Sequence, residues 1–405
     1  MLTLMALTVF QGLGTFVVAL QREFGWTRTA LSGAFALSRA EGAVLGPVEG
    51  YLIDRIGTRH MVLVGYIVMG AGFLLLSQVN TLWQFYLAFM VVTMGGGLGG
   101  FLPLVAAVNN WFQRRRTLAM SIAMSGVNFA GLLVPMLAFG LESHGFRWTT
   151  GGIGVILIAV AFPAYKFIRN RPEEHGLRPD GEQAPAVTPR GAGGPESAAA
   201  AVEQPDITPR QALRTAAFWI LTISNIASGV AVSSLVIHLV PKLTDMGFSL
   251  GTASVVVTTV TASAIPTMFV AGVLGDRLPK PLLLCAVFLL QGSAIMVLAI
   301  FDSMVWAWVF APLYGIAFGG RIPLVTALRS EFFGRKSFAT ISGLSQFPAS
   351  LATMGGPVFA GYLFDIRGSY FVPFLAFSIL SFIGAVVVLF ARQPRVAGPT
   401  PGARA

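Results

Sequence analysis

Two arginines and two glutamates lie where charge is hardest to keep. Arg39 and Arg321 each interrupt a long apolar run, and a charge at the centre of a bilayer costs roughly 2.5 kcal/mol or more, so each needs a partner or a water-filled cavity. Arg39 precedes Asp54 by 15 residues and Arg321 precedes Arg335 by 14, which puts them about 22 and 21 Å along a helix from one membrane edge. Both guanidiniums are therefore expected near the midplane. A guanidinium presents a planar fork that matches a carboxylate, so the chemistry suggested is recognition of a small organic anion. Glu41 and Glu49 share the apolar run of Arg39. A carboxyl taken out of water takes up a proton more readily, which makes both candidates for proton coupling, with a structural ion pair as the other reading. Residues 39 and 41 point about 200° apart on a helix, so Glu41 does not simply neutralise Arg39 within it.

Other chemistries find no residues to carry them. The four histidines, at 60, 144, 175 and 238, are scattered and converge with no acidic or cysteine cluster, so neither an enzyme centre nor a metal site is expected. The single cysteine, Cys285, cannot form an intrachain disulfide and reads as core filler. Gly95 to Gly100 is glycine-rich but precedes no phosphate-binding lysine, and close helix packing is its expected purpose. With no GxxxxGK[ST] loop, an ATP-driven pump is excluded. No cofactor is implied.

The elements that must position these residues follow from composition. Hydrophobic residues make up 55% of the chain and charged ones 11%, against about a quarter charged in soluble proteins. Mean hydropathy is +0.74. Cutting the chain at charges and turn residues leaves twelve apolar spans, near 1–20, 30–53, 61–79, 82–108, 117–141, 148–168, 216–240, 250–275, 281–300, 304–328, 338–364 and 371–391. Each is long enough to cross a bilayer core of about 30 Å. The expected fold is an all-α polytopic membrane protein: a six-helix bundle over 1–168, a largely disordered linker over 169–215, a second bundle over 216–391 and a tail over 392–405. The TPRQALRT stretch leads into the seventh span. With the N-terminus inside, 20 of the 27 basic residues fall on the inner face and five outside (Arg22, Arg28, Arg147, Lys242, Arg367), so both termini are expected to be cytoplasmic in an inner or plasma membrane. The net charge of +10 is thus an orientation signal, and no nucleic-acid partner is expected. Span one starts at Met1 without flanking basic residues, so either the true start lies upstream or this helix is short at its inner end.

The chain also repeats itself. At an offset of 220, Gly99-Gly-Phe-Leu-Pro-Leu-Val aligns with Gly319-Gly-Arg-Ile-Pro-Leu-Val, so Arg321 stands opposite Phe101. At 222, Glu23-Phe-Gly-Trp-Thr27 meets Asp245-Met-Gly-Phe-Ser249, and Gly50, Asp54 and Arg55 meet Gly272, Asp276 and Arg277. Parallel six-helix repeats are a transporter construction with the cargo site between the halves. The stretch Gly50-Tyr-Leu-Ile-Asp54-Arg55-Ile-Gly57-Thr-Arg59 resembles the signature loop of the major facilitator superfamily, and Gly272-Val-Leu-Gly-Asp276-Arg277 resembles its second copy. The WFQRRRTLAMSIAMSG and FGRKSFATISG stretches and the GGRIP of span ten look like the bacterial monocarboxylate and oxalate/formate exchanger branch.

That resemblance implies a monomeric secondary transporter that alternates access by rocking its halves, moving a small monocarboxylate-like anion by H⁺ symport or anion exchange. It implies that Asp54 faces the start of span eleven near Phe338, that Asp276 faces span five, and that these contacts, with Arg55, Gly57, Arg59 and Arg277, latch the inner side. It also implies that Gln11, Asn109, Asn128, Asn225, Tyr314 and Gln346 occupy cavity-lining spans, as interhelical hydrogen bonds or cargo contacts. Pro135 and Pro357 would bend spans five and eleven. The chain departs from the branch in lacking a cationic residue in spans one, eight and eleven, so the anion reading rests on Arg39 and Arg321. Efflux of an amphipathic or drug-like compound would need an acidic cavity, and Val134 before Pro135 departs from the Gly-Pro of drug exporters. A non-transporting sensor would need an output domain, for which the 47-residue linker is too short and too polar.

Overall fold

In the computed structural model, residues 1–111, 116–170, 207–333 and 338–394 are described. Most of the linker, the end of the tail, and the details of Arg39, Gly50, Asp54, Asn109, Asp276 and Phe338 beyond their helical backbone lie outside the described residues.

The twelve helices follow in chain order. Helix α1 is built from Leu2–Ala6, a π-turn over Leu7–Gln11 and Leu13–Phe24. Then come α2 (Arg28–Ile56), α3 (Thr58–Leu76) and α4 (Leu82–Gly99, resumed as Phe101–Trp111). Residues Ser125–Phe167 run as 43 continuous, mostly apolar helical residues, about 65 Å of helix and twice a bilayer core. One non-helical residue, Gly145 at φ 79°, folds that run in two. We label the part before it, with Arg116–Leu132, α5, and the part after it α6. A short helix at Pro209–Leu213, capped by Thr208 and Gln211, leads into α7 (Ala216–Asp245). The last five are α8 (Leu250–Arg277), α9 (Lys280–Ile300), α10 (Met304–Phe333), α11 (Phe338–Arg367) and α12 (Phe371–Leu389).

Among the described residues, eight helices are long and apolar enough to cross a membrane, or nine with the bent α1 counted as one. The Ser125–Phe167 run is one of the eight although the break at Gly145 divides it into two spans. Helices α2 and α11 are 29 and 30 residues long but are more polar than these.

Small residues set the helix spacing. A Cβ on Gly65 would lie 2.1 Å from the backbone nitrogen of Gly99, and one on Gly95 2.3 Å from that of Met69. The glycine-rich stretch therefore lets α3 and α4 touch backbone to backbone, as small residues do in membrane helix pairs. Gly57, with φ 88°, turns α2 into α3 and caps the latter. A side chain there would be strained.

The halves meet along α1 with α7, α2 with α11 and α5 with α8. At the end where α1 turns into α2 the apolar core is continuous across them, joining Leu20, Leu31 and Phe35 with Leu239, Val240 and Phe248. At the opposite end a second cluster holds Phe218, Leu284, Leu328 and Phe333, all from the second half or its approach. The bundle is sealed across the halves at the first of these ends.

Candidate functional site

Helix α10 carries the centre of the site. Tyr314, Phe318 and Arg321 stand at i, i+4 and i+7, one face of a helix. Tyr314 is buried and stacks at 6.3 Å on Phe318. Arg321 donates from Nη2 to Asn225 Oδ1 of α7 at 2.9 Å, while its Nε is buried without a partner. Gly229, one turn beyond Asn225, lies beside the same guanidinium, close enough that a Cβ there would touch Nη2 at 3.5 Å. The guanidinium is thus held from one side and keeps donor capacity on another.

One helical turn from this arginine along α10, at Phe318, begins a narrow cavity of about 30 Å³ between the halves. Gln11, Tyr314 and Thr261 supply its polar groups; valines, leucines and Phe318 supply the rest. The hydroxyl of Thr261 is spent on its own helix, on the carbonyls of Val257 and Thr258. Gln11 ends the π-turn of α1, closed by the Gly12 amide on the Leu7 carbonyl at 2.9 Å, and α1 bends by 50° there. The Gln11 side chain is buried and its Nε2 has no partner.

Among the described residues, the other polar side chains singled out from sequence do not line this cavity. Glu41 accepts from Thr93 Oγ1 of α4 at 2.6 Å. Glu49 is buried, its carboxylate seated where a side chain on Gly97 would otherwise lie. Asn128 contacts Met268 Sδ across the halves at 3.9 Å. Gln346 is exposed on α11, and Arg277 and Gly272 are exposed near the end of α8. In the signature loop, Arg59 donates its backbone N–H to Asn170 Oδ1 at 2.8 Å and its Nε to the Tyr165 carbonyl at 2.7 Å, so it ties α3 to the end of α6. Arg55 reaches Tyr51 Oη at 3.1 Å.

The sealed end holds a polar cluster that the sequence reading passed over. Arg28, at the start of α2, is buried and makes a two-bond pair with Asp245 of α7, at 2.6 and 2.8 Å. Its Nε donates to Gln21 and its guanidinium lies 3.8 Å from the ring centroid of Phe364. Asp365 of α11 accepts the backbone N–H groups of Arg28 and Thr29 at 3.2 and 2.9 Å, and the Thr29 hydroxyl. His238 is fully buried next to this cluster. Its Nε2 lies 2.8 Å from the Pro357 carbonyl, which can only accept, and 3.1 Å from Ser32 Oγ. Nε2 therefore carries the hydrogen and Nδ1 accepts from Tyr370 Oη at 2.9 Å. Burial pushes the Tyr370 phenol up, which keeps it a donor. Pro357 lacks an N–H, so the Thr353 carbonyl one turn earlier loses its helical partner; Ser233 Oγ of α7 supplies one at 3.1 Å. The sequence signal was the repeat of Glu23–Thr27 as Asp245–Ser249, which marks both turns of this end.

Such a molecule, two helical bundles closed at one end over a buried polar centre, is a membrane transporter in form. The profile described as Major Facilitator Superfamily matches residues 1–347 and 243–405, and the chain belongs to that family. It is similar to monocarboxylate transporter 13 of Bos taurus, 24% identical over 383 residues that cover 94% of this chain and 84% of that one. Monocarboxylate transporter 11 of Mus musculus is 26% identical over 385 residues, covering 91% and 79%. Among solved structures, a bacterial homolog of the human lysosomal transporter Spinster, inward-facing and occupied, superposes with a TM-score of 0.69 at 18% identity, covering 96% of this chain and 95% of that one. The chain is thus a multi-pass membrane transporter of this superfamily and not an enzyme.

Proposed function

We propose that the protein carries a small monocarboxylate-like anion, with Arg321 as the cargo's charge partner. The observation that carries this reading is the guanidinium itself: fixed on one side by Asn225, unpaired at Nε, at mid-depth of α10 and beside a cavity lined by Gln11 and Tyr314. The names of the two monocarboxylate transporters support the same cargo class. Arg39 is the proposed second cation. Its counterpart 222 residues on is Thr261, a lining residue of that cavity.

The halves rock about the central site, opening the sealed end and breaking the Arg28–Asp245 contact as the cavity changes sides. Asp54, Arg55, Gly57 and Arg59, with Gly272, Asp276 and Arg277, form the latch at the other end, which the basic-residue count assigns to the cytoplasm. Glu41 and Glu49 exchange a proton with the cargo cycle, making transport an H⁺ symport; anion exchange is the mode without them. The protein acts as a monomer in the plasma membrane, with Asn128 and Gln346 as outlying contacts of the cargo path.

The test is uptake of labelled pyruvate, lactate and oxalate into proteoliposomes, with and without an acid-outside gradient. Arg321→Gln and Arg39→Gln are compared with the parent. Anion uptake unchanged in both variants would sink the proposal.

A further inference from the structure

The sealed end encloses a histidine whose surroundings admit one protonation state. Among the described residues His238 is the one buried histidine, and side chains from both halves hold it. Its Nε2–H is shared between the Pro357 carbonyl of α11 and Ser32 Oγ of α2, while Nδ1 accepts from Tyr370 Oη at the start of α12. In a histidinium both ring nitrogens donate. A second proton, on Nδ1, would therefore turn the Tyr370 hydroxyl away from the ring. It would find no acceptor: the Arg28 guanidinium, which can only donate, lies 5.2 Å from the centroid of the Tyr370 ring, and that hydroxyl makes no other hydrogen bond to an acceptor among the described residues. Protonating His238 in the sealed molecule thus leaves a buried phenol unpaired, which folded proteins avoid.

The charges around the ring do not impose this exclusion. They are Arg28 of α2, Asp245 and Lys242 of α7 itself, Asp302 ahead of α10, which pairs with Lys242, and Asp365 of α11. Helix α1 meets this stretch of α7 through Gly14, and α8 is uncharged from 250 to 275. Carboxylates exceed cations in this group by one, so the net charge would favour a histidinium. Hydrogen-bond geometry is what forbids it. Parting the halves removes the obstacle, because Ser32 and Arg28 belong to the first half while Pro357 and Tyr370 stay with His238 in the second. Water can then accept from the turned hydroxyl, and a solvated histidine titrates near pH 6.5.

We propose that His238 is a pH-sensitive lock on the sealed end, taking up a proton when that end opens and losing it before that end closes. Uptake and release face the same side of the membrane. The proton therefore sets how often the seal opens and does not drive accumulation, which is the task given above to Glu41 and Glu49. This inference rests on the rocking of the halves proposed above and is independent of the cargo. Well above about pH 6.5 the seal is at its firmest; as pH falls through that value the open population rises, about tenfold between about pH 7.5 and 5.5.

The experiment follows maleimide labelling of Val257→Cys, a buried position lining the cavity between the halves, in full-length Cys285→Ala protein in detergent. Each rate is divided by that of the same protein unfolded in dodecyl sulfate at the same pH, which cancels the titration of the thiol itself. The normalised rate should rise about tenfold from about pH 7.5 to 5.5, with a midpoint near 6.5. His238→Gln keeps an amide donor for Pro357 but takes up no proton, and its rate should be flat with pH. Ser32→Ala, which only loosens the seal, should raise the rate at both pH values by a like factor and keep the tenfold ratio. The ratio should also survive His144→Gln, which removes the exposed histidine at the turn between α5 and α6. A flat profile in the parent, a ratio that persists in His238→Gln, or one that vanishes in His144→Gln would each overturn the inference; the first and last decide it even if His238→Gln does not fold. If Ser32→Ala and Arg28→Gln raise labelling but acid does not, the rocking stands and this inference falls. If neither variant changes labelling at any pH, both fall.

Discussion

Arg28 and Asp245 stand 217 residues apart in the chain and 2.6 Å apart in space, one from each half of the transporter. Arg28 is 4% exposed and Asp245 36%. Water reaches one partner, so removing the pair should cost about 1–2 kcal/mol rather than the 3–5 of a fully buried one.

Arg28→Gln should therefore raise the population open at this end by roughly five- to thirtyfold. Val240, buried beside the cavity, reports it. In a Cys285→Ala background, a membrane-impermeant maleimide should label Val240→Cys faster when Arg28→Gln is added. Swapping the charges, Arg28→Asp with Asp245→Arg, should restore slow labelling. Labelling unaffected by Arg28→Gln would mean that the pair does not hold the seal.

At the centre, charge and shape separate cleanly. Arg321→Lys keeps the cation but loses the planar fork, and should weaken carboxylate binding about tenfold, whereas Arg321→Gln should lose it. Asn225→Ala removes the bond that aims Nη2 and should cost about 0.5–1.5 kcal/mol of affinity. Titration of each purified variant with labelled carboxylate distinguishes the three, and equal affinity for Lys and Gln would refute a charge role.

Proton coupling is testable without disturbing the cargo site. Glu41→Gln keeps an acceptor for Thr93 and removes the ionisable oxygen. Accumulation driven by an acid-outside gradient should disappear in this variant, while equilibrium exchange of the anion continues. If gradient-driven accumulation survives in both Glu41→Gln and Glu49→Gln, neither carboxyl carries the proton.

Helix packing gives a prediction independent of cargo. Gly65→Val would drive a side chain into the Gly99 backbone, an overpacking that costs about 1–3 kcal/mol. Its thermal midpoint in detergent should fall by several degrees. Gly152→Ala, with nothing within 4 Å of the added carbon, should leave it unchanged.

What the sequence made legible divides along the length scale of the interactions. Hydropathy was enough for the twelve spans, and the Gly50–Arg59 stretch with its repeat 222 residues on was enough for the superfamily, because both are written in short runs of sequence. Arg321 stood out for the same reason, as one charge in an apolar run. Arg28 did not: it is a basic residue at a span end, and there it looked like one more orientation charge. Its role depends on Asp245 and on Phe364, which only the packed halves bring to it. His238 likewise read as a lone histidine because Ser32, Pro357 and Tyr370 reach it from three other places in the chain. The π-turn of α1 left no mark either, since no proline announces it and its extra residue shows only in the Gly12 to Leu7 bond.

The N-terminus of α2 is capped from outside its own half. Asp365, in α11, accepts the first two amides of that helix, and only Thr27, at 3.2 Å from the Ala30 nitrogen, caps it locally. If the halves part at this end as proposed, α2 gives up a carboxylate cap worth about 1 kcal/mol at each opening. The amides of Arg28 and Thr29 then trade with solvent deuterium, and the first turn of α2 becomes a built-in clock whose exchange rate counts openings, one cycle at a time.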